Sequence, residues 1–178
     1  RFGSASSADY FGVRPDIICT AKGLTNGAVP MGATFVTGEI YNAFMQGPTV
    51  FTEFMHGYTY SGHPLACAAA IAVQDVIRDE NVYAHARSIM KPFEDAIHSL
   101  RGLPRVTDIR NCGILGAVDF EPGPADDPYK WPRTVMIKCF ESGVMVRFTG
   151  NSMAISPAVV MKQREIERIV ETVERVIR

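Results

Sequence analysis

The helical pattern over residues 162–178, the last in the chain, limits the possible folds more than any other feature of the sequence. One face of this pattern is apolar, and the other carries glutamate and arginine. The apolar face comprises Ile166, Ile169, Val170, Val173 and Ile177. A helix of this kind is stable only when it covers another apolar surface. Strand-length apolar runs follow Pro104, so the pattern predicts a sheet with helices on one side.

Residues 103–178 are therefore predicted to form a small α+β domain that runs strand, strand, helix, strand, helix. The strands are placed at residues 106–110, 114–120 and 144–148, and the helices at 132–142 and 162–178. Gly143 suits the left-handed position that ends a helix. The composition changes at Gly102-Leu103-Pro104, and we place the domain boundary there.

Residues 1–102 form the other predicted domain. Two strands, at 16–20 and 31–37, are apolar enough to be expected in a buried sheet. Helices are predicted at 38–44, from Pro64 onward, and at 82–100. The last helix has an apolar stripe at positions 89, 93, 97 and 100, and we expect Asn81 to cap it and Pro92 to kink or break it.

The overall composition argues against several classes of protein. The chain has 178 residues, of which 47% are hydrophobic, and a formal net charge of -1, which is typical of a globular protein without a basic face. No apolar run reaches the ~18 residues that a membrane span needs. The four cysteines are scattered, without a metal-type spacing. We therefore expect no nucleic-acid or membrane partner, no metal, and reduced thiols in a cytoplasmic protein.

Lys22 stands at the end of the first apolar strand. An amine at the end of a buried strand loses part of its hydration, which favours its neutral form. A neutral amine is what a Schiff base with a carbonyl compound requires. Gly23 and Gly27 would leave room for a bulky group beside the backbone. A lysine in this position can also be an ordinary solvated charge, and the residues alone leave both interpretations open.

The segment 57–61 precedes the helix that begins at Pro64. Its backbone N–H groups and the hydroxyls of Thr59 and Ser61 lie where a helix N-terminus attracts phosphate. The alternative is that Ser61 caps the helix while the tyrosines of the segment pack against their neighbours. His63 is expected to cap or pack, and not to act as a base.

Arg147 interrupts the apolar strand predicted at 144–148. A guanidinium in such a place either pairs with a buried carboxylate of the protein or binds the carboxylate of a ligand. Its planar fork suits two parallel hydrogen bonds to a carboxylate in both cases. The residues around Arg147 do not decide between a structural ion pair and a ligand site.

Three segments in this order resemble the class III aminotransferases that use pyridoxal phosphate. Residues 11–27 (FGVRPDIICTAKGLTNG) are similar to the segment with the family's cofactor lysine, and residues 56–64 (HGYTYSGHP) to its phosphate loop. Residues 146–151 (VRFTGN) resemble the strand with its carboxylate-binding arginine. Residues 26–33 (NGAVPMGA) and 108–113 (DIRNCG) are most similar to the ω-amino acid:pyruvate branch, which includes the β-alanine–pyruvate aminotransferases.

This resemblance implies an α/β architecture of fold-type I. Residues 1–102 would be the C-terminal portion of a large cofactor-binding domain with a mixed or mostly parallel sheet. Residues 103–178 would be the small α+β domain. Lys22 would hold pyridoxal 5′-phosphate as a Schiff base and then move the substrate proton.

The resemblance also implies partners for the cofactor and the substrates. Tyr58 and Thr59 would contact the phosphate of the cofactor in the neighbouring subunit of a homodimer, and a tetramer stays open. Arg147 would bind the carboxylate of pyruvate or of the amino donor. The donor itself is left open between β-alanine, other ω-amino acids and simple amines.

The family's chains are longer than this one. Their first half carries a Gly-Ser phosphate turn, an aromatic residue that stacks on the cofactor and an aspartate that pairs with the pyridine nitrogen. The sequence contains none of these and begins at Arg1 without a methionine or an apolar leader. We therefore expect it to be the C-terminal part of a longer polypeptide. A same-fold aminomutase or decarboxylase, and a non-catalytic interaction domain, are the alternative interpretations.

Overall fold

The computed structural model describes residues 1–49 and 59–178. They form two compact units, one of residues 1–7 with 82–178 and the other of residues 8–81. The units divide at residue 81, and not at residue 102, because residues 82–100 pack on the C-terminal sheet. The predicted boundary between a large and a small domain concerns the full-length protein and stays a prediction.

The described part of the chain contains seven α-helices and six strands. In chain order they are α1 Ser7–Phe11, β1 Ile17–Ala21, β2 Gly32–Val36, α2 Gly38–Phe44, α3 Pro64–Asp79, α4 Val82–Ser88, α5 Met90–His98, β3 Val106–Cys112, β4 Leu115–Phe120, α6 Lys130–Glu141, β5 Arg147–Thr149, β6 Ser152–Ile155 and α7 Gln163–Ile177. A 3-10 turn, Lys22–Leu24, follows β1 directly.

The unit of residues 1–7 and 82–178, here called the C-terminal unit, is built on a four-stranded antiparallel sheet with the order β3-β4-β6-β5. Its register places Ile109, Val118, Met153 and Phe148 side by side across the four strands. Residues that pair directly point to the same face of a sheet. Three members of this row are buried and Phe148 is partly buried, so the row marks the face that carries the core.

Helices α5, α6 and α7 cover that face. This was predicted for α6 and α7, whereas α5 was assigned to the other domain. Their buried side chains include Phe93, Ile97, Val135, Cys139, Ile166, Val170 and Val173. The approach of α5 to the sheet is close at Gly116, where an added Cβ would lie 2.2 Å from Ile97 Cδ1 and 2.9 Å from Phe93 Cζ. A side chain at this position would force Ile97 and Phe93 to move, and protein cores leave little space for that.

The apolar stripe at positions 89, 93, 97 and 100 is buried along its whole length, which confirms that prediction. The helix predicted at 82–100 is broken near Pro92 into α4 and α5. Pro92 falls in the first turn of α5, where its missing N–H costs no intrahelical hydrogen bond. Asn81 has a left-handed backbone, and its N–H donates to the Arg78 carbonyl. It therefore ends α3, instead of capping α4 as expected.

The predicted order of strands in this unit was wrong in one respect. Strand β6 was not predicted, although it lies between β4 and β5 in the sheet. It has four residues and shows its period-2 pattern only in two buried side chains, Met153 and Ile155. Strand β5 is shorter than predicted and begins at Arg147, while Val144 and Val146 before it are still buried.

In the other unit, β1 and β2 pair as an antiparallel hairpin from Ile17↔Val36 to Ala21↔Gly32. Both strands were predicted to be buried, and this is wrong for the chain by itself. Ile17, Phe35 and Val36 are 54%, 55% and 43% exposed. Only three residues of this unit's described part are buried, namely Thr25, Ala66 and Ala70, so no apolar layer covers the hairpin.

Candidate functional site

Lys22 lies directly after the last paired residue of β1 and opens the 3-10 turn. Its backbone φ is +52°, which is uncommon for a residue with a long side chain. The side chain of Lys22 is exposed, because the hairpin that carries it is itself exposed. The prediction that the amine loses part of its hydration at the strand end is therefore wrong for this chain. Among the described residues, no carboxylate lies within ion-pair distance of the amine.

A second turn follows the lysine and contains the most buried polar residue in the described part of this unit. Thr25 is 1% exposed, and its hydroxyl donates a 2.6 Å hydrogen bond to the Val29 carbonyl. The N–H of Ala28 donates to the Thr25 carbonyl at 3.0 Å. Asn26 and Gly27 between them have φ values of +51° and +79°, the pair of left-handed residues that an Asn-Gly turn of type I′ requires.

Thr59 is exposed and lies in the turn that leads into α3. As predicted, α3 begins at Pro64, and it has no side-chain cap. The alternative considered for this segment, a cap from Ser61, is therefore absent in the described part of the chain, and Tyr60 is 80% exposed. Tyr58 lies outside the described residues. The turn Lys22–Leu24 contacts α3, which brings the lysine loop to the helix that follows Thr59.

Arg147 lies in the C-terminal unit, at the start of the edge strand β5. It is exposed, whereas Val146 is buried, so the arginine points to the face of the sheet that the helices leave open. The structural ion pair considered for Arg147 is not formed with any described residue.

Arg110 lies in the same row of the sheet as Arg147. The register runs Arg147↔Ala154↔Ala117↔Arg110, so the two arginines share a face with two small residues between them. Arg110 pairs with Asp108 at 2.9 Å and with Asp119 at 2.5 Å. Mainly through its hydrogen bond from Arg110, the pKa of Asp119 is lowered from its ordinary value. One arginine of this row is thus neutralised by carboxylates, and the other is available.

The chemistry of these groups suits a cofactor that carries an aldehyde and a phosphate. Lys22 offers an accessible primary amine, and among the described residues nothing lies within 4 Å of a Cβ added to Gly23. The N-terminal N–H groups of α3 lack a side-chain cap, and His63 Nδ1 is buried without a hydrogen-bond partner in the described part. Orphan donors at a helix N-terminus favour an anion.

The sequence reasoning named Lys22, Thr59 and Arg147 but missed two features that define their surroundings. The first is the burial of Thr25. The pair Asn26-Gly27 in the sequence indicates a turn, but it does not indicate that the hydroxyl of the residue before it is buried. The second is the pairing of Arg110 with Asp108 and Asp119, which follows from strand register. No group of three or more metal-binding side chains occurs in the described residues, and no helix found among them is long and apolar enough to cross a membrane.

Comparison with known proteins gives consistent matches along the chain. A family model described as aminotransferase class-III matches residues 1–177. An omega-aminotransferase of Caulobacter vibrioides is 43% identical over 99% of this chain and 40% of that protein. A beta-alanine–pyruvate aminotransferase of Pseudomonas aeruginosa is 41% identical over 97% of this chain and 39% of that protein. A probable gamma-aminobutyrate transaminase of Oryza sativa is 33% identical over 96% of this chain and 35% of that protein.

Solved structures agree with these relatives. An amine transaminase from an uncultivated Pseudomonas species, in its PLP-bound form, has a TM-score of 0.87 and 32% identity, over 99% of this chain and 41% of that one. An (S)-enantioselective omega-transaminase from Thermomicrobium roseum has a TM-score of 0.88 and 28% identity, over 99% and 40%. The predicted fold class is thereby confirmed. The chain spans about two fifths of the length of these two bacterial relatives.

Proposed function

Because the chain belongs to the class-III aminotransferase family, we propose that it is the lysine-bearing part of an ω-amino acid:pyruvate transaminase. Pyridoxal phosphate is the cofactor of this family. The full-length protein would move an amino group from an ω-amino acid or an amine to pyruvate. The observation that carries the proposal is Lys22, whose accessible amine follows β1 at an uncommon backbone conformation, in a loop that contacts α3.

Lys22 would act twice in each half of the reaction. Its Nζ would bind the cofactor covalently in the absence of substrate. Bound pyridoxal phosphate supplies an electron-withdrawing ring that stabilises negative charge on the substrate carbon. As a free amine, Nζ would be the base that accepts the substrate proton and the acid that returns it.

Arg147 would bind the carboxylate of pyruvate, and of the alanine formed from it. The support is the contrast with Arg110 on the same face of the sheet, since Arg110 is occupied by Asp108 and Asp119. An arginine without a protein carboxylate can donate two parallel hydrogen bonds to a ligand carboxylate.

Thr59, together with Tyr58, would bind the cofactor phosphate across the subunit interface of a cytoplasmic homodimer. The exposed hydroxyl of Thr59 and the uncapped start of α3 support the phosphate contact. The role of Tyr58 and the contribution from a second subunit rest on the resemblance to the family.

A lysine exchange in the full-length protein tests this proposal. Lys22→Ala should abolish the visible absorbance of the lysine-bound cofactor and the formation of alanine from pyruvate and β-alanine. Lys162→Ala is a suitable control because Lys162 is the exposed first residue before α7. Visible absorbance that is unchanged in Lys22→Ala would refute the role of this lysine.

The same assay separates the alternative activities. An aminomutase would convert the amino acid without consuming pyruvate, and a decarboxylase would release carbon dioxide from it. A wild-type full-length protein that binds no cofactor would favour the non-catalytic interpretation. Comparison of β-alanine, γ-aminobutyrate and a simple amine as donors would identify the donor class.

A further inference from the structure

The loop after Lys22 is closed by a backbone hydrogen bond from Ala28 to Thr25 and by one buried hydroxyl. Thr25 is the least exposed residue in the described part of its unit, at 1%, while Ala66 and Ala70 follow at 6% and 9%. A buried hydroxyl is costly unless it is hydrogen-bonded, and Thr25 meets this need by donating to the Val29 carbonyl at 2.6 Å. The hydroxyl therefore links the two ends of a short, otherwise exposed turn.

This link lies next to an unfavourable backbone conformation. Lys22 has a φ of +52°, and a left-handed residue with a side chain persists only where the surrounding structure enforces it. On one side of Lys22, Ala21 is fixed by its pairing with Gly32. On the other side, the 3-10 turn Lys22–Leu24 ends at Thr25. The lysine is thus held between a strand pairing and the Thr25 hydrogen bond.

We propose that Thr25 is a positioning residue for the amine of Lys22. Its hydroxyl fixes the turn Lys22–Leu24, and with it the direction in which the lysine side chain leaves the backbone. This inference rests on the proposed function, in which Nζ must leave the cofactor carbon and then reach the adjacent substrate carbon. Such a transfer depends steeply on placement, because a misplacement of about 1 Å can cost about 100-fold in rate.

Thr25→Val in the full-length protein tests the idea, because valine keeps the shape of threonine and removes the donor. We expect cofactor binding to persist, the rate of the first half-reaction to fall between about 10- and 100-fold, and the Michaelis constant for the donor to change by less than about threefold. The pH at which the visible band of the lysine-bound cofactor titrates should also shift. Thr25→Ser keeps the hydroxyl and should restore both readouts.

Thr34→Val is the matched control on the same hairpin. Thr34 is exposed in β2, and its hydroxyl contacts Cys19 Sγ at 3.7 Å, so its loss should leave the rate and the band titration unchanged. A purely structural role for Thr25 predicts a lower melting temperature with a normal rate and a normal titration. That result would overturn the proposal.

Gly27→Ala decides the matter if Thr25→Val does not fold. Gly27 has a φ of +79°, and no described atom lies within 4 Å of a Cβ added to it, so alanine disturbs the turn only through its backbone preference. The band titration and the rate should move in the same direction as in Thr25→Val, by a smaller factor. Unchanged values would overturn the proposal. If Lys22→Ala keeps the visible band of the cofactor, the proposed function is refuted. If Lys22→Ala loses the band but the Thr25 and Gly27 variants behave as wild type, only the positioning role of Thr25 is refuted.

Discussion

Removal of the Arg147 side chain should weaken the reaction with pyruvate without weakening the protein. In the full-length enzyme, Arg147→Ala deletes hydrogen bonds to the substrate carboxylate, and a hydrogen bond to a charged group contributes about 1.5–3 kcal/mol. One such bond corresponds to a loss of about 10- to 150-fold in kcat/KM for pyruvate. The side chain is exposed and has no ion pair within the described residues, so the free energy of unfolding should change by less than about 0.5 kcal/mol.

The assay is alanine formation at varied pyruvate, together with thermal unfolding of the same preparations. Arg110→Ala is the matched control, because it removes an arginine from the same row of the same sheet face. It breaks the contacts to Asp108 and Asp119 and should lower the melting temperature while the pyruvate kinetics stay near wild type. The reasoning is refuted if Arg147→Ala leaves pyruvate kinetics intact and destabilises the protein.

Two further predictions concern the C-terminal sheet. Gly116→Val should lower the free energy of unfolding of this unit by about 1–3 kcal/mol, because the added Cβ would overlap Ile97 and Phe93. Thermal unfolding measures this loss. The control is Ala117→Val on the opposite face of the sheet, which should change the melting temperature little. The pKa of Asp119 is lowered in the folded protein. Its ionised carboxylate therefore adds to the free energy of unfolding at pH values above its pKa in the unfolded chain, about 4. This stabilisation is lost as the pH falls through the pKa of the folded state. The gap in melting temperature between wild type and Asp119→Asn should therefore shrink below about pH 4, and a gap independent of pH would contradict this.

The elements with strong local signals were predictable from the sequence. The stripe from Ile89 to Leu100 and the end of α6 at Gly143 follow from helical spacing and from a left-handed glycine. Strand β6 was missed because four residues are too few for a period-2 pattern to stand out. Its place in the middle of the sheet comes from pairing with β4, a tertiary contact that no local pattern encodes.

The site was predictable in its residue types and less so in its surroundings. Lys22, Thr59 and Arg147 were identified from motifs, but their exposure was not. The apolar pattern of β1 predicts burial, whereas residues 1–49 and 59–178 provide no layer that covers it. The hydrogen bond from Thr25 to Val29 involves a hydroxyl that is buried, and burial is a property of packing and not of composition.

The position of β6 has a consequence for the order in which the sheet can assemble during synthesis. Strands β3 and β4 can pair as soon as residue 120 has left the ribosome, but the inner edge of β4 has no strand to bind until residue 155 is made. Strands β5 and β6 are joined by a turn at Gly150 and can dock together as a hairpin in which β6 pairs with β4. Long-range pairing of this kind is slow. Strand β5, the edge strand that carries Arg147, is thus among the last parts of the sheet to pair.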